Sequence, residues 1–287
     1  MRPIGAHMSI AGGIVKAVDR AQKAGATALQ IFTRNQVQWA IPELSEDTVT
    51  AFRSQMAASR LRFTCVHASY LINLASATLV TRRRSLDALT VELERAEALG
   101  CACVIIHPGS PGNDGRETGF ERIAAAVRQV LERTAGMHVR LALENTAGQG
   151  RMLGGPLADL GRMISDAGGD ARLAVCLDTA HAFAAGYDIR ESAGMERLAG
   201  DLERHVGRER LMVLHLNDSL HECGSRRDRH THIGEGRIGT AGFRRLLQHP
   251  LTGDVAGVIE TPKEDGNPVH DKRNIARLRQ LQLDYGS

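Results

Sequence analysis

His7, His67, His107, Glu144, Asp178, His215 and Glu260 recur along the chain at or next to the ends of short apolar runs. Imidazoles and carboxylates are the donors that hold zinc and similar divalent cations. Crowded together without a cation, the carboxylates would raise one another's pKa and the imidazoles would stay neutral. A single buried histidine is more often a hydrogen-bonded core residue than a ligand, so the inference rests on how many of these residues the fold brings together.

Two local motifs extend the set. Asp178-Thr179-Ala180-His181 offers a carboxylate and an imidazole three residues apart. Asp228-Arg229-His230 offers another pair, and in an extended segment residues two apart face the same way, so both can grip one ion. His232 continues that face, and spacing alone leaves the choice between His230 and His232 open. One tetrahedral zinc cannot use so many donors. They suggest two or three ions about 3.5–4 Å apart, an arrangement suited to phosphoester hydrolysis, where attacking and leaving oxygens must be held together.

The elements that must position these residues alternate. Short β-branched or apolar runs at 3–7, 28–33, 63–67, 103–107, 140–144, 173–178, 211–216 and 256–261 read as strands. Between them lie stretches with helical spacing, among them 14–24, 47–59, 83–99, 120–133 and 242–248. In the third of these, Asp87, Glu92, Glu94 and Arg95 are expected on the polar side. Eight strand-then-helix units predict an α/β fold closed into a single (β/α)8 TIM barrel, with one domain spanning residues 1–287. An open doubly wound sheet is the alternative. In a barrel all strand ends point to the rim where active sites sit. The longest connection, residues 217–239, exceeds a plain loop and is expected to be functional.

Composition sets bounds. Aromatic residues make up 3% of the chain, so the core must be filled by Ala, Leu, Val and Ile. A net charge of +3 permits an anionic partner without requiring one. Five cysteines form no disulfide framework and point to a reducing compartment, and no apolar run approaches the ~20 residues of a membrane span. A cytoplasmic monomer is expected, with no membrane contact. Gly234-Glu235-Gly236-Arg237-Ile238-Gly239 has dinucleotide-fingerprint spacing but does not directly follow a strand. Cys101 and Cys103 read as core, and Arg82-Arg83-Arg84 as a solvated helix start. No G-x-S-x-G elbow or serine nucleophile stands out.

The motifs together resemble the endonuclease IV family of zinc-dependent apurinic/apyrimidinic endonucleases. The resemblance runs through GAHMSIAGG (5–13), IFTRNQVQW (31–39), HASYLINLAS (67–76), HPGS (107–110), LENTAGQG (143–150), CLDTAHAFAAGYD (176–188), HLNDS (215–219), DRHTHIGEGRIG (228–239) and IETP (259–262). It implies three zinc ions: one on His67, His107 and Glu144; a second on Glu144, Asp178, His215 and Glu260; a third on His181, Asp228 and His230. It assigns His230 over His232. Glu144 and Glu260 are then catalytic, His7 and Asn217 stand behind the ligands, and Gln36, Val37, Tyr70, Leu71 and Arg229 contact DNA. The implied partner is double-stranded DNA with abasic sites, cut 5′ to the lesion to leave a 3′-hydroxyl and a 5′-deoxyribose phosphate, with trimming of blocked 3′ ends besides. Val37 stands where the family often has a basic residue. A metal-dependent sugar isomerase or epimerase is the rival on the same barrel, and a non-catalytic DNA-damage binding module is the rival of another class.

Overall fold

A computed structural model of the chain describes residues 2–263 and 269–283. Eight parallel strands close on themselves: β1 (Ile4–Met8), β2 (Ala28–Ile31), β3 (Phe63–His67), β4 (Cys103–Ile106), β5 (Arg140–Glu144), β6 (Leu173–Asp178), β7 (Leu211–His215) and β10 (Ala256–Ile259). The last pairs with the first, Ala6 opposite Ile259. The expected TIM barrel is therefore present, and the open sheet is excluded. Helices α1 (Val15–Lys23), α2 (Glu46–Ala57), α3 (Leu79–Leu99), α4 (Arg116–Arg133), α5 (Leu157–Asp166), α7 (Ser192–His205), α8 (Gly239–Gln248) and α9 (Val269–Leu283) lie between or after strands, and α6 (Thr179–Ala184) sits directly on the end of β6.

Small and branched side chains fill the barrel, as the shortage of aromatics requires. Ala28, Cys65, Cys103, Ile105, Ala142, Ala174, Cys176, Val213 and Val258 form one interior cluster. The cysteines are free, and Cys101 and Cys103 are buried. No helix among the described residues is long and apolar enough to cross a membrane.

Several expectations need correction. β2 stops at Ile31, two residues short of the expected end. β4 and β10 stop just before His107 and Glu260, which project from the first residue beyond each strand. Glu92 and Arg95 do not face solvent; they are 1% and 8% exposed. Glu92 receives Arg34 Nε at 2.9 Å and the Thr33 hydroxyl at 2.5 Å, while Arg95 donates to the carbonyls of Thr33 and Pro42. Helical periodicity cannot distinguish a solvated charge from one buried against the next loop. Here the buried network anchors the residues that follow β2, the segment carrying Gln36 and Val37.

The connection after β7 folds into a two-stranded antiparallel ribbon of β8 (Asp218–Ser219) and β9 (His230–Thr231), with Ser219 opposite His230.

Candidate metal centre

Side chains alternate along a strand, so residues two positions beyond an inward-facing one also face inward. Counting two on from the interior residues Ala28, Cys65, Ile105, Ala142, Cys176, Val213 and Val258 gives Gln30, His67, His107, Glu144, Asp178, His215 and Glu260. The apolar core thus ends, at the C-terminal rim, in one polar layer. His7 lies opposite Gln30 in the strand register and completes it.

Glu144, fully buried, is the hub. Its Oε2 lies 3.3 Å from His67 Nε2 and 3.1 Å from His107 Nε2, and its Oε1 lies 2.9 Å from His215 Nδ1 and 3.4 Å from His181 Nδ1. Three groups bring their donor atoms within 4.8 Å of one another: His67, His107 and Glu144; Glu144, Asp178, His215 and Glu260; and Asp178, His181 and His230. A fourth combination sets Cys176 with Glu144 and His215. Asp228 stands beside the third group, 3.1 Å from His181 Nε2 and 3.3 Å from His230 Nε2. His232 belongs to none of them; its Nδ1 accepts from Asn274 and its ring stacks on His270.

Local structure explains the aim of each donor. Asp178 caps α6, its Oδ1 accepting from the His181 backbone N–H at 2.8 Å, so one carboxylate both starts the helix and sets the imidazole three residues on. Most of the imidazoles commit one ring nitrogen outward. His67 Nδ1 donates to the Ala68 carbonyl and His181 Nδ1 to the Asn145 carbonyl; a carbonyl can only accept, which places the proton there. His215 Nε2 donates to Gln30 Oε1 at 2.8 Å, leaving Nδ1 for the carboxylates. Asn217 donates to Asp178 Oδ2 at 2.6 Å and accepts from the Glu260 backbone N–H at 2.7 Å. His7 Nδ1 accepts from Gln30 and lies 3.5 Å from Glu260, one step back from the donor groups.

The electrostatics match a cation site. Burial pushes Glu144 up, but His215 and His107 outweigh it and hold the carboxyl well below its usual range. Burial lowers His181 and His215, yet Asp178 and Asp228 around the one, and Cys176, Glu144 and Glu260 around the other, raise both well above the ordinary imidazole value. Burial raises Asp228 too, and the hydrogen bond and charge of His181 bring it down to about 2. Such imidazole–carboxylate pairs are what deprotonated ligands around a shared positive charge become when protons substitute for that charge. His230 Nε2 supplies the separate test. It is buried, has no hydrogen-bond partner among the described residues, and points between Asp178 and Asp228 at 3.7 and 3.3 Å. A cation there would satisfy it, and the nitrogen–oxygen donor set fits zinc.

The rim carries exposed side chains beside this centre. Val37 is 64% and Tyr70 61% exposed. Leu71 and Gln36 are half-buried, and Arg229 is exposed. The Ser69 hydroxyl donates to the Gln36 carbonyl at 2.8 Å, tying the two loops together.

Gln30, Asn145 and Asp218 escaped the sequence reading. Gln30 had a signal: it is the one polar residue of the run Ala-Leu-Gln-Ile, in the one strand with no histidine or acid at its end. Asn145, next to Glu144, had none beyond adjacency.

The family model for xylose isomerase-like TIM barrels matches residues 18–281. A probable endonuclease 4 of Nitratidesulfovibrio vulgaris is 46% identical over 96% of this chain and 98% of its own. The crystal structure of endonuclease IV from Thermus thermophilus superposes with a TM-score of 0.87 at 37% identity, covering 99% of this chain and all of that one. An L-ribulose 3-epimerase reaches a TM-score of 0.72 at 17% identity over 98% of this chain and 95% of its own, a likeness of fold alone.

Proposed function

Starting from a chain that belongs to the endonuclease IV family, we propose that its barrel rim hydrolyses the DNA backbone on the 5′ side of abasic sites. The protein is a metal-dependent DNA repair endonuclease, a deoxyribonuclease IV. The finer reading has three zinc ions, on His67/His107/Glu144, on Glu144/Asp178/His215/Glu260, and on His181/Asp228/His230 with Asp178 alongside. The observation that carries it is the sharing of Glu144 between two donor groups within one buried layer, with a third group joined through Asp178. Ions held there supply Lewis-acid polarisation of a phosphate and acidify water toward neutrality.

The chain's own residues do the rest. Glu144 and Glu260 orient the attacking water toward phosphorus, and the bond to the 3′ oxygen of the preceding nucleotide breaks. That leaves a 3′-hydroxyl and a 5′-deoxyribose phosphate; the same step on a blocked 3′ end trims it. Gln30 and Asn217 keep Glu260 and Asp178 in place. Tyr70, Leu71, Gln36 and Val37 enter the gap left by the missing base, and Arg229 meets phosphate. Extruding a nucleotide costs a few kcal/mol and least where pairing and stacking are already lost, which selects abasic sites in double-stranded DNA. A cytoplasmic monomer suffices for this chemistry.

The sugar-epimerase rival shares the fold, but a third donor group, to which the β8–β9 ribbon contributes His230, and an exposed Tyr70 at the rim suit a polymer better than a small sugar. A non-catalytic binding module has no use for three donor groups. The test is incision of a duplex carrying one tetrahydrofuran abasic analogue, which cannot undergo β-elimination. A nick 5′ to the analogue with a 3′-hydroxyl end is expected; an intact duplex with zinc-loaded protein refutes the reading.

A further inference from the structure

Asp218, on β8, is fully buried and its carboxylate is ringed by backbone N–H groups. Oδ1 accepts from Ser219 and Ile238, each at 2.9 Å; Oδ2 accepts from Gly234 at 2.9 Å, Gly236 at 3.1 Å and Gly239 at 3.2 Å. The run Gly234–Gly239, whose spacing imitates a phosphate-binding fingerprint, cradles the chain's own anion instead. Successive N–H groups in a turn make such a nest, and those of Ile238 and Gly239 open α8, where the helix dipole favours negative charge. The glycines are required: Gly234 and Gly239 have φ of +78° and +64°, and a Cβ on Gly236 would stand 2.4 Å from Asp218 Oδ1 and 2.5 Å from the Ser219 carbonyl.

The same short strand holds the other side of the loop. Ser219 is paired with His230, the Leu220 N–H donates to the Arg229 carbonyl at 3.0 Å, and the Arg237 N–H donates to the Ser219 carbonyl at 2.7 Å. Residues 218–220 are thus bonded to 229–231 on one side and to 234–239 on the other. The segment bearing Asp228 and His230 is paired along its C-terminal part to a strand anchored by the buried Asp218 carboxylate, while its earlier part is held by the Gly224, Arg226 and Asp228 N–H groups, which donate to the Phe183 and Ala184 carbonyls and to Gln149 Oε1.

We propose that Asp218 is a positioning residue for the third ion: an internal anion that fixes the loop presenting Asp228 and His230 while touching neither metal nor substrate. The proposal rests on the three-ion reading above. Asn at this position keeps one acceptor and turns an amide N–H against backbone donors, an arrangement that leaves several buried N–H groups unpaired. Gly236→Ala attacks the same contact from the loop side and leaves Asp218 intact.

The experiment compares full-length zinc-loaded wild type, Asp218→Asn and Gly236→Ala by bound-metal stoichiometry and by tryptic cleavage at Arg226, Arg227 and Arg229. Both variants should keep two ions and lose the third, be nicked about tenfold faster in that loop, and regain incision when zinc is raised. Retention of the third ion with wild-type resistance to trypsin in both variants overturns the proposal. Loss of every ion in both does so as well, since it shows a general structural role. If wild type itself holds only two ions, the three-ion reading fails, and the tryptic comparison alone decides whether Asp218 anchors the loop; should Asp218→Asn not fold, Gly236→Ala decides it.

Discussion

Gln30 holds Glu260: its amide nitrogen donates to Glu260 Oε1 at 2.6 Å. The orientation of the amide is forced, because the carboxylate can only accept and His215 Nε2 then donates to the amide oxygen. One neutral side chain therefore fixes two proposed ligands of the second ion. Gln30→Leu, which removes both bonds at similar volume, is expected to cost roughly 10- to 100-fold in metal affinity or incision rate, the usual range for a group standing behind ligands. Metal titration followed by incision kinetics checks this, and wild-type values in both would show that the ligands are held without it.

Glu144→Gln should abolish incision while leaving the fold intact. The amide is nearly isosteric but places a donor or a neutral oxygen where imidazoles and cations need a carboxylate. Circular dichroism should match wild type and the abasic duplex should remain uncut. Cutting at the wild-type rate would remove Glu144 from the proposed centre.

Val37 projects 64% exposed from the rim with no charge to offer phosphate. Val37→Arg is expected to tighten binding of abasic duplex and to steepen the log Kd against log salt slope by about one unit, the signature of one added phosphate contact. Affinities at several salt concentrations decide it; an unchanged slope would place this loop away from the backbone.

Removing metal should have a pH-dependent consequence. In the stripped protein His181 and His215 have raised pKa values, so their pairing contributes stability that is full below the unfolded value near 6.5 and is lost as pH rises through the folded values. Glu144 and Glu260 are depressed, and their share is present above about 4.3 and lost on acidification. Metal binding must expel the imidazole protons and strengthens with pH. The difference in Tm between zinc-loaded and chelated protein should therefore widen from about pH 5.5 to about pH 8.5, with proton release on zinc addition. A constant difference would count against imidazole ligation.

Much of this was legible because a barrel strand converts sequence order into spatial order. Once strands 63–67, 140–144 and 173–178 are assigned, His67, Glu144 and Asp178 must share a rim. Periodicity two predicts the polar layer as an extension of the apolar one. Other features depend on partners far along the chain. Glu92 reads as a surface acid until Arg34, fifty-eight residues away, is seen against it. Asp218 reads as a loop residue until five N–H groups, four of them beyond Asp228, close around it. Gln30 is neutral, so no ionisable group marks the end of its strand. Spacing left His230 and His232 tied, and what separates them is Asn274 and the His270 ring beside His232.

The pairing of β10 with β1 has a consequence for the timing of synthesis. Glu260 comes into place beside Gln30 only when the last strand docks against the first, and the second donor group is complete only then. A growing or prematurely terminated chain therefore carries the histidines of the rim without their enclosure. A nuclease whose second donor group is closed by its last barrel strand completes that group only once nearly the whole barrel has been translated.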